Sequence, residues 1–377
     1  MTEAPRTLAL LRAMIDATDH DLLQAIARRM GLVREIAEVK RASGLRIRDL
    51  QREREVLEDR VRVATELGLP VGEMESLFRL LLRASRDYQA LLRVEVLPDE
   101  QARTVTIIGG HGRMGRLFAA MFADLGHRVL IVDTDTELTA SDAAAVSDVV
   151  VISVPIDRTE AVIREVGPRV RREALLTDLT SIKQGPVTAM LESTSASVVG
   201  MHPMFGPSVH TFQGQRVVLC RARGDAWADW LSHTLTSHGM VITETRPDQH
   251  DRVMSIVQVL THYQTQVMGL TLTRLGVPIE ETLRFTSPVY LLELYMTARH
   301  FAQAPELYGP IEMRNPRAGE VTSALRAAAE EVAGVIERRD QERFTALFDE
   351  VRAFLGPFTT EALQQSSYLI DRIVERA

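Results

Sequence analysis

The stretch TVTIIGGHGRMGRLF, residues 104–118, admits few folds. A short β-branched run leads directly into Gly110-x-Gly112-x-x-Gly115, and the third glycine opens a helical pattern. Strand, glycine turn and helix in that order make a dinucleotide-binding unit. The glycines permit the tight turn and the close approach of backbone to a pyrophosphate, and the helix start offers unpaired N–H groups. Arg113 and Met114 sit inside the turn. Asp133 ends the next apolar run, HRVLIVD, 18 residues past Gly115. An acid there binds both ribose hydroxyls and repels a 2′-phosphate. Thr134 and Asp135 add no cation, so NAD is favoured over NADP. Val154 and Pro155, closing DVVVISVP, are further cofactor-binding candidates. The alternative is a glycine turn that binds nothing; strand, helix and acid together speak against it.

The surrounding texture agrees. DVVVISVP, ALLTDLTS and SVVGMHPM are short apolar runs separated by helical patterns, and QRVVLCRA and MVITETR extend the series. Buried parallel strands alternating with helices predict a doubly wound α/β Rossmann-type domain over 104–246. The chain before it reads as all-helical, 1–93, joined by a linker at 94–103. Leu8, Leu11, Ile15, Leu22, Ile26, Met30, Val33 and Ile36 recur at helical spacing, with one gap at Thr18, so 6–42 is one long helix with a stop at Gly44. Such a rod, about 54 Å, is too long for a small monomeric domain to cover and predicts an interlocked dimer. Two more helices run over about 49–67 and 72–93. Residues 247–377 are helical again, and 251–275 is apolar around most of its circumference, which predicts burial in a bundle or dimer core.

The totals narrow the function classes. A net charge of −7 gives no support for a nucleic-acid partner. A single cysteine, Cys220, fits a reducing compartment. The N-terminus lacks an uninterrupted apolar core and no run suits a membrane span, so a cytoplasmic protein is expected. The ten histidines show no metal-ligand spacing, so no metal is expected.

Cation usage is lopsided. Of 44 Lys plus Arg, only Lys40 and Lys183 are lysine. Lysine is a compact charge on a flexible stem, which arginine's rigid fork does not always replace. Lys183 follows the run ALLTDL, with Ser181 beside it. Carboxyl ends of parallel strands are where such sheets bind ligands, so Ser181 and Lys183 point to the cofactor and substrate. Lys40 lies in the helical N-terminal segment and Lys183 in the α/β domain, one lysine in each.

GGHGRMGRLF, ISVPI, DLTSIKQGP, GMHPMFGP, SPVYLLELYMTARHFAQ and RIRDLQREREVL together give a resemblance. Over nearly its whole length the chain resembles the bifunctional chorismate mutase/prephenate dehydrogenase family. The resemblance implies a helical mutase domain, an NAD-binding domain and a C-terminal helical substrate-binding and dimerisation domain. It implies chorismate and prephenate as substrates, and a homodimer. Arg12, Arg29, Lys40, Asp49, Glu53 and Gln89 fall on the mutase site positions, Arg12 reaching the partner's site. Arg29 would grip a carboxylate, Lys40 and Gln89 the ether oxygen, and Glu53 the substrate hydroxyl, while Asp49 supports Lys40 or a main-chain contact. His202 would accept the ring hydroxyl's proton, and Arg299 would bind a substrate carboxylate. His262 is either a pocket residue or a satisfied core histidine. His250 and Asp251 read as caps of the helix that follows them.

Two positions depart from the family's usual pattern. Leu291 and Thr261 stand where arginines are frequent. The departures leave room for the 4-amino-4-deoxy analogues of the two substrates, or for arogenate. A non-catalytic ligand-sensing paralogue would show decay at several site positions, and the mutase set, Ser181, Lys183 and His202 are all present.

Overall fold

A computed structural model describes residues 7–43, 49–93, 101–209 and 211–374. The expected helix stop at Gly44 and residues 94–100 of the linker lie outside these. The chain divides into two compact units. One comprises Met1–Val154, Val162–Leu179 and Met190–Thr245; the other comprises Pro155–Ala161, Thr180–Ala189 and Arg246–Ala377.

In the first unit, α1 (Leu8–Ala42), α2 (Leu50–Glu66) and α3 (Val71–Arg93) form the N-terminal helical segment. Asp49 starts α2 by accepting the Arg52 N–H at 3.0 Å, which supplies one of the bonds a helix start lacks. α3 packs against both α1 and α2. Helices of 17 and 23 residues cannot cover a 35-residue rod. Among the described residues of α1, Val33 and Ala37 are the buried apolar ones, while Leu8, Leu11, Ile15, Leu22 and Ile36 stay exposed.

The same unit holds a seven-stranded sheet: β1 (Thr104–Ile108), β2 (Arg128–Val132), β3 (Val149–Ile152), β4 (Leu175–Asp178), β5 (Ser197–Pro203), β6 (Arg216–Arg223) and β7 (Val241–Glu244). Its order is β2-β1-β3-β4-β5-β6-β7. The first five strands are parallel, β6 is antiparallel to β5, and β7 is parallel to β6. The wholly buried β3 and β4 explain the unbroken apolar runs. The intervening helices are α4 (Arg113–Asp124), α5 (Ala140–Val146), α6 (Ile156–Val166), α7 (Gln184–Ser193) and α8 (Asp225–Ser237). Phe118 and Phe122 of α4 pack on Val105, Ile107, Val149, Val199 and Met201. From β1 the chain goes to β2 on one side and then to β3 on the other. That reversal opens a crevice at the strands' carboxyl ends.

The second unit is helical: α9 (Pro247–Met254), a π-helical turn over Ser255–Leu260, α10 (Thr261–Leu275), α11 (Ile279–Arg284), α12 (Pro288–Phe301), α13 (Pro305–Met313), α14 (Ala318–Arg338), α15 (Gln341–Leu355) and α16 (Phe358–Val374). The apolar segment 251–275 is therefore neither one uninterrupted α-helix nor buried within a single chain. α10 has no buried residue. Its tertiary neighbours are α12 and α13, and Val267, Leu270 and Leu275 remain exposed. Among the described residues, no helix is long and apolar enough to cross a membrane.

Candidate active sites

The glycine turn after β1 is a close-packed cradle. Gly109 has φ +83°, a conformation that disfavours any side chain. A Cβ on Gly109 would collide with the Ser153 carbonyl, and one on Gly115 with the Gly109 carbonyl. At Gly110 it would lie 2.7 Å from Ile131 Cγ2. Gly112 precedes α4 without a side-chain cap, so the first N–H groups of α4 are available to an anion. Arg113 is exposed there, and Met114 packs on the core. The Val154 side chain lies against Gly109, and Pro155 is exposed.

Asp133 follows β2, its carboxylate accepting from the backbone N–H of Thr134 at 2.8 Å and of His111 at 2.9 Å. Burial works to raise its pKa, but these N–H groups outweigh it and hold the carboxyl below its usual value. An ionised acid beside a glycine turn that leads into an uncapped helix start fits the ribose and pyrophosphate of NAD.

The carboxyl ends of β1, β3, β4 and β5 lie along one edge of the sheet. His202 is there, but within β5 rather than after it, opposite Val218 of β6. It is 2 % exposed. Buried Asp178 ends the neighbouring β4 and receives the Met201 N–H at 3.4 Å. Three strand spacings, about 14 Å, separate β1 from β5.

Ser181 and Lys183 follow β4 in sequence, yet their segment clusters with the helical unit. The reason is Asp251. Its two carboxylate oxygens accept the N–H groups of Lys183 at 2.7 Å and Gln184 at 2.9 Å. His250 Nδ1 lies 2.8 Å from the same carboxylate, and Asn315 donates to the Asp251 carbonyl at 2.9 Å. His250 and Asp251 thus do not cap their own helix, which starts at Pro247; Asp251 caps the start of α7 instead. Lys183 is completely buried and Ser181 half-buried.

His262 on α10 faces α12 and α13. Its ring meets Tyr308 edge-on at 4.8 Å and lies 5.5 Å from His300. Burial, and then the neighbouring His300, push its pKa down to about 4. Its Nδ1 is buried with no hydrogen-bond partner among the described residues, so a satisfied core histidine does not describe it. Arg299, one residue before His300, is exposed. Leu291 is buried and Thr261 exposed, so only the first departure is absorbed by packing.

The N-terminal helices bring part of their predicted set together. Arg29 of α1 donates through Nη1 to Ser85 Oγ at 2.5 Å and to the Leu81 carbonyl at 3.3 Å. Burial, and then the charge of Arg60, lower its pKa. Gln89 lies one turn beyond Ser85 on α3, buried, its Oε1 without a partner among the described residues. Glu53 of α2 accepts from Arg86 Nη1 at 2.6 Å. Lys40 is half-buried, three turns along α1 from Arg29 and on the same face, about 16 Å away. Arg12 is exposed, and the helix carries it about 25 Å the other way. Asp49 serves the main chain of α2. Sequence reasoning missed Ser85, though its i, i+4 spacing to Gln89 could have found it.

Three family descriptions match: chorismate mutase type II over residues 11–90, the prephenate dehydrogenase nucleotide-binding domain over 114–244 and the prephenate dehydrogenase dimerization domain over 246–350. A T-protein of Haemophilus influenzae is 32 % identical over 96 % of both chains. A T-protein of Enterobacter agglomerans is 34 % identical over 96 % of this chain and 97 % of its own. A crystal structure of Aquifex aeolicus prephenate dehydrogenase with hydroxyphenyl propionate and NAD+ shares the fold, with TM-score 0.55 and 18 % identity, over 68 % of this chain and 98 % of that one. Full-length relatives, three matched domains and an NAD cradle agree: the chain belongs to the bifunctional T-protein family, chorismate mutases joined to NAD-dependent prephenate dehydrogenases.

Proposed function

We propose the residues by which this isomerase and oxidoreductase works. The helices of residues 1–93 rearrange chorismate to prephenate, and the domain over 104–246, with the helical segment 247–377, oxidises prephenate to 4-hydroxyphenylpyruvate. The observation that carries the second half is the shared sheet edge, with the glycine cradle at β1 and buried His202 at β5.

In the mutase no bond is made to the protein. The site must fold a dianion and stabilise charge at the breaking ether bond. Arg29, pinned by Ser85 and Leu81, grips a carboxylate. Gln89 turns its amide toward the ether oxygen, and Lys40 supplies a point charge there. Glu53 is held by Arg86 and accepts from the ring hydroxyl. Arg12, remote within its own chain, serves the site of a second copy.

In the dehydrogenase, Asp133 takes the ribose hydroxyls and the α4 start takes the pyrophosphate. Bound NAD supplies the hydride acceptor. His202 receives the ring hydroxyl's proton as hydride leaves the same carbon. The ring carboxylate departs as CO2, its bonding electrons complete the aromatic ring, and the proton returns to the phenolate oxygen. Arg299 binds a carboxylate. Asp251 fixes the segment bearing Ser181 and Lys183.

Chorismate and NAD given to the purified protein test this directly. NADH together with 4-hydroxyphenylpyruvate, identified by mass, is the expected result; prephenate accumulating without NADH would remove the dehydrogenase half. Asp133→Ala should raise KM for NAD about 10- to 100-fold, the worth of hydrogen bonds to a charged group, with mutase turnover as the internal control.

A homodimer completes the reading. The apolar residues left exposed on α1 and α10 are the surfaces a second copy covers. Light scattering should return twice the mass of one chain. A monomer that still rearranges chorismate would exclude the role of Arg12.

A further inference from the structure

Glu53 of α2 and Arg86 of α3 meet across 33 positions of the chain, Arg86 Nη1 donating to Glu53 Oε1 at 2.6 Å. The two side chains are 17 % and 21 % exposed. The pair therefore differs from Arg62–Glu66 and Arg79–Glu75, which lie along single helices and are more open to solvent. Exposed pairs of that kind add little, whereas two partly buried charges from different helices need each other. The pair also sits among the groups read as the mutase site. Arg86 follows Ser85, the acceptor of the Arg29 guanidinium, and stands three positions before Gln89. Arg86 and Gln89 thus share a side of α3. Glu53 lies one turn on from Asp49, which starts α2.

The pair bears on which ring substituent the site accepts. The rearrangement breaks the ether C–O bond and forms a C–C bond. The ring substituent takes no part, so selection there is a matter of binding. A carboxylate without a counter-charge accepts from a hydroxyl and holds an ammonium more strongly still, because the full charge adds to the hydrogen bond. Such a carboxylate would prefer a protonated amine to a hydroxyl. Beside Arg86 the balance is reversed. A carboxylate offers about four acceptor sites, so one bond from a guanidinium does not exhaust it, and a hydroxyl proton can still be accepted. The charge of the pair is zero, however, and an ammonium brought to Glu53 also approaches Arg86. It would lose its hydration without gaining a counter-charge.

We propose that Arg86 is a specificity-determining residue of the mutase: by neutralising Glu53 it makes the site select a ring hydroxyl over a ring ammonium. The excluded substrate is the 4-amino-4-deoxy counterpart of chorismate, alike in shape and in its two carboxylates. This rests on the reading of Glu53 as the acceptor of the ring hydroxyl. Attraction alone does not make the distinction, since hydroxyl and ammonium are both donors; the repulsive element supplies it.

The test measures mutase kcat/KM of the full chain for chorismate and for its 4-amino-4-deoxy counterpart, following the loss of each by chromatography. Wild type should favour chorismate at least tenfold. Arg86→Gln keeps a donor for Glu53 and removes the charge. It should raise kcat/KM for the amino counterpart about tenfold, mainly through KM, while the value for chorismate falls or stays level. A residue that only held the helices together would not improve any substrate when replaced. Arg86→Lys keeps the charge and should keep most of the wild-type preference. In the Arg86→Gln, Glu53→Gln double variant the gain should vanish, because the ammonium then has no carboxylate to meet. Melting curves show which variants fold, and Arg86→Met takes the place of Arg86→Gln should the latter not fold. Equal or better use of the amino counterpart by wild type overturns the proposal, as does an unchanged or lower kcat/KM for it in Arg86→Gln, or a gain that survives in the double variant. Rearrangement of chorismate by Glu53→Gln at the wild-type rate would instead defeat the reading of Glu53.

Discussion

His202→Asn is expected to lower kcat for prephenate oxidation by about 10²- to 10⁴-fold, the usual worth of a positioned general base. Chorismate rearrangement by the same protein should continue at its wild-type rate. Asparagine keeps a hydrogen-bonding group of similar reach on β5 but cannot take up a proton. The residue is 2 % exposed, so its replacement could also loosen the sheet edge, and the assay must separate the two effects. Affinity for NAD provides that separation. The cradle belongs to β1 and α4, and an intact fold should bind NAD as before. A fall in kcat with KM for prephenate near its wild-type value marks chemistry; a joint loss of NAD binding marks structural damage. A loss smaller than tenfold would take the general-base role away from His202.

The second large effect belongs to the other site. Lys40→Ala should reduce chorismate rearrangement by about 10²- to 10³-fold, as for removal of one group aimed at developing charge in a water-poor site. Oxidation of supplied prephenate should be unaffected. Lys40→Arg is the more informative variant. The charge is kept, but a planar fork replaces a compact ammonium, and recovery should be only partial. Full recovery would mean that any cation suffices and that the choice of lysine in an arginine-rich chain carries no chemical meaning. Together the His202 and Lys40 variants should each silence one reaction and spare the other.

Much of this was legible in the chain itself. The strand, glycine turn and helix around Gly110 left little alternative, because a backbone that passes within contact distance of Ser153 and Ile131 needs residues without side chains. The acid at Asp133 lay one strand later, as the motif requires. The apolar runs of β3 and β4 declared strands buried on both faces. The periodic residues of α1 declared one long helix, and the exposure left on it follows from length alone.

Other features were not local. Pairing with Val218 draws His202 into β5, although a proline follows it. Segment 251–275 read as a continuous buried helix. Hydrophobicity reports that a surface will be covered, not whether its own chain or another covers it, and a π-helical turn leaves no mark in the periodicity.

What the sequence determined by itself was therefore the order of elements, the cofactor turn and the residue types at each candidate site, because these depend on neighbours a few positions away. What only the tertiary structure decided was which distant side chains meet. Asp251 holds the backbone of Lys183 and Gln184 across 68 and 67 residues, and Gln266 reaches Glu312 across 46. Such pairings are selected by the packing of whole helices, and no short-range pattern encodes the direction in which a helix will be turned.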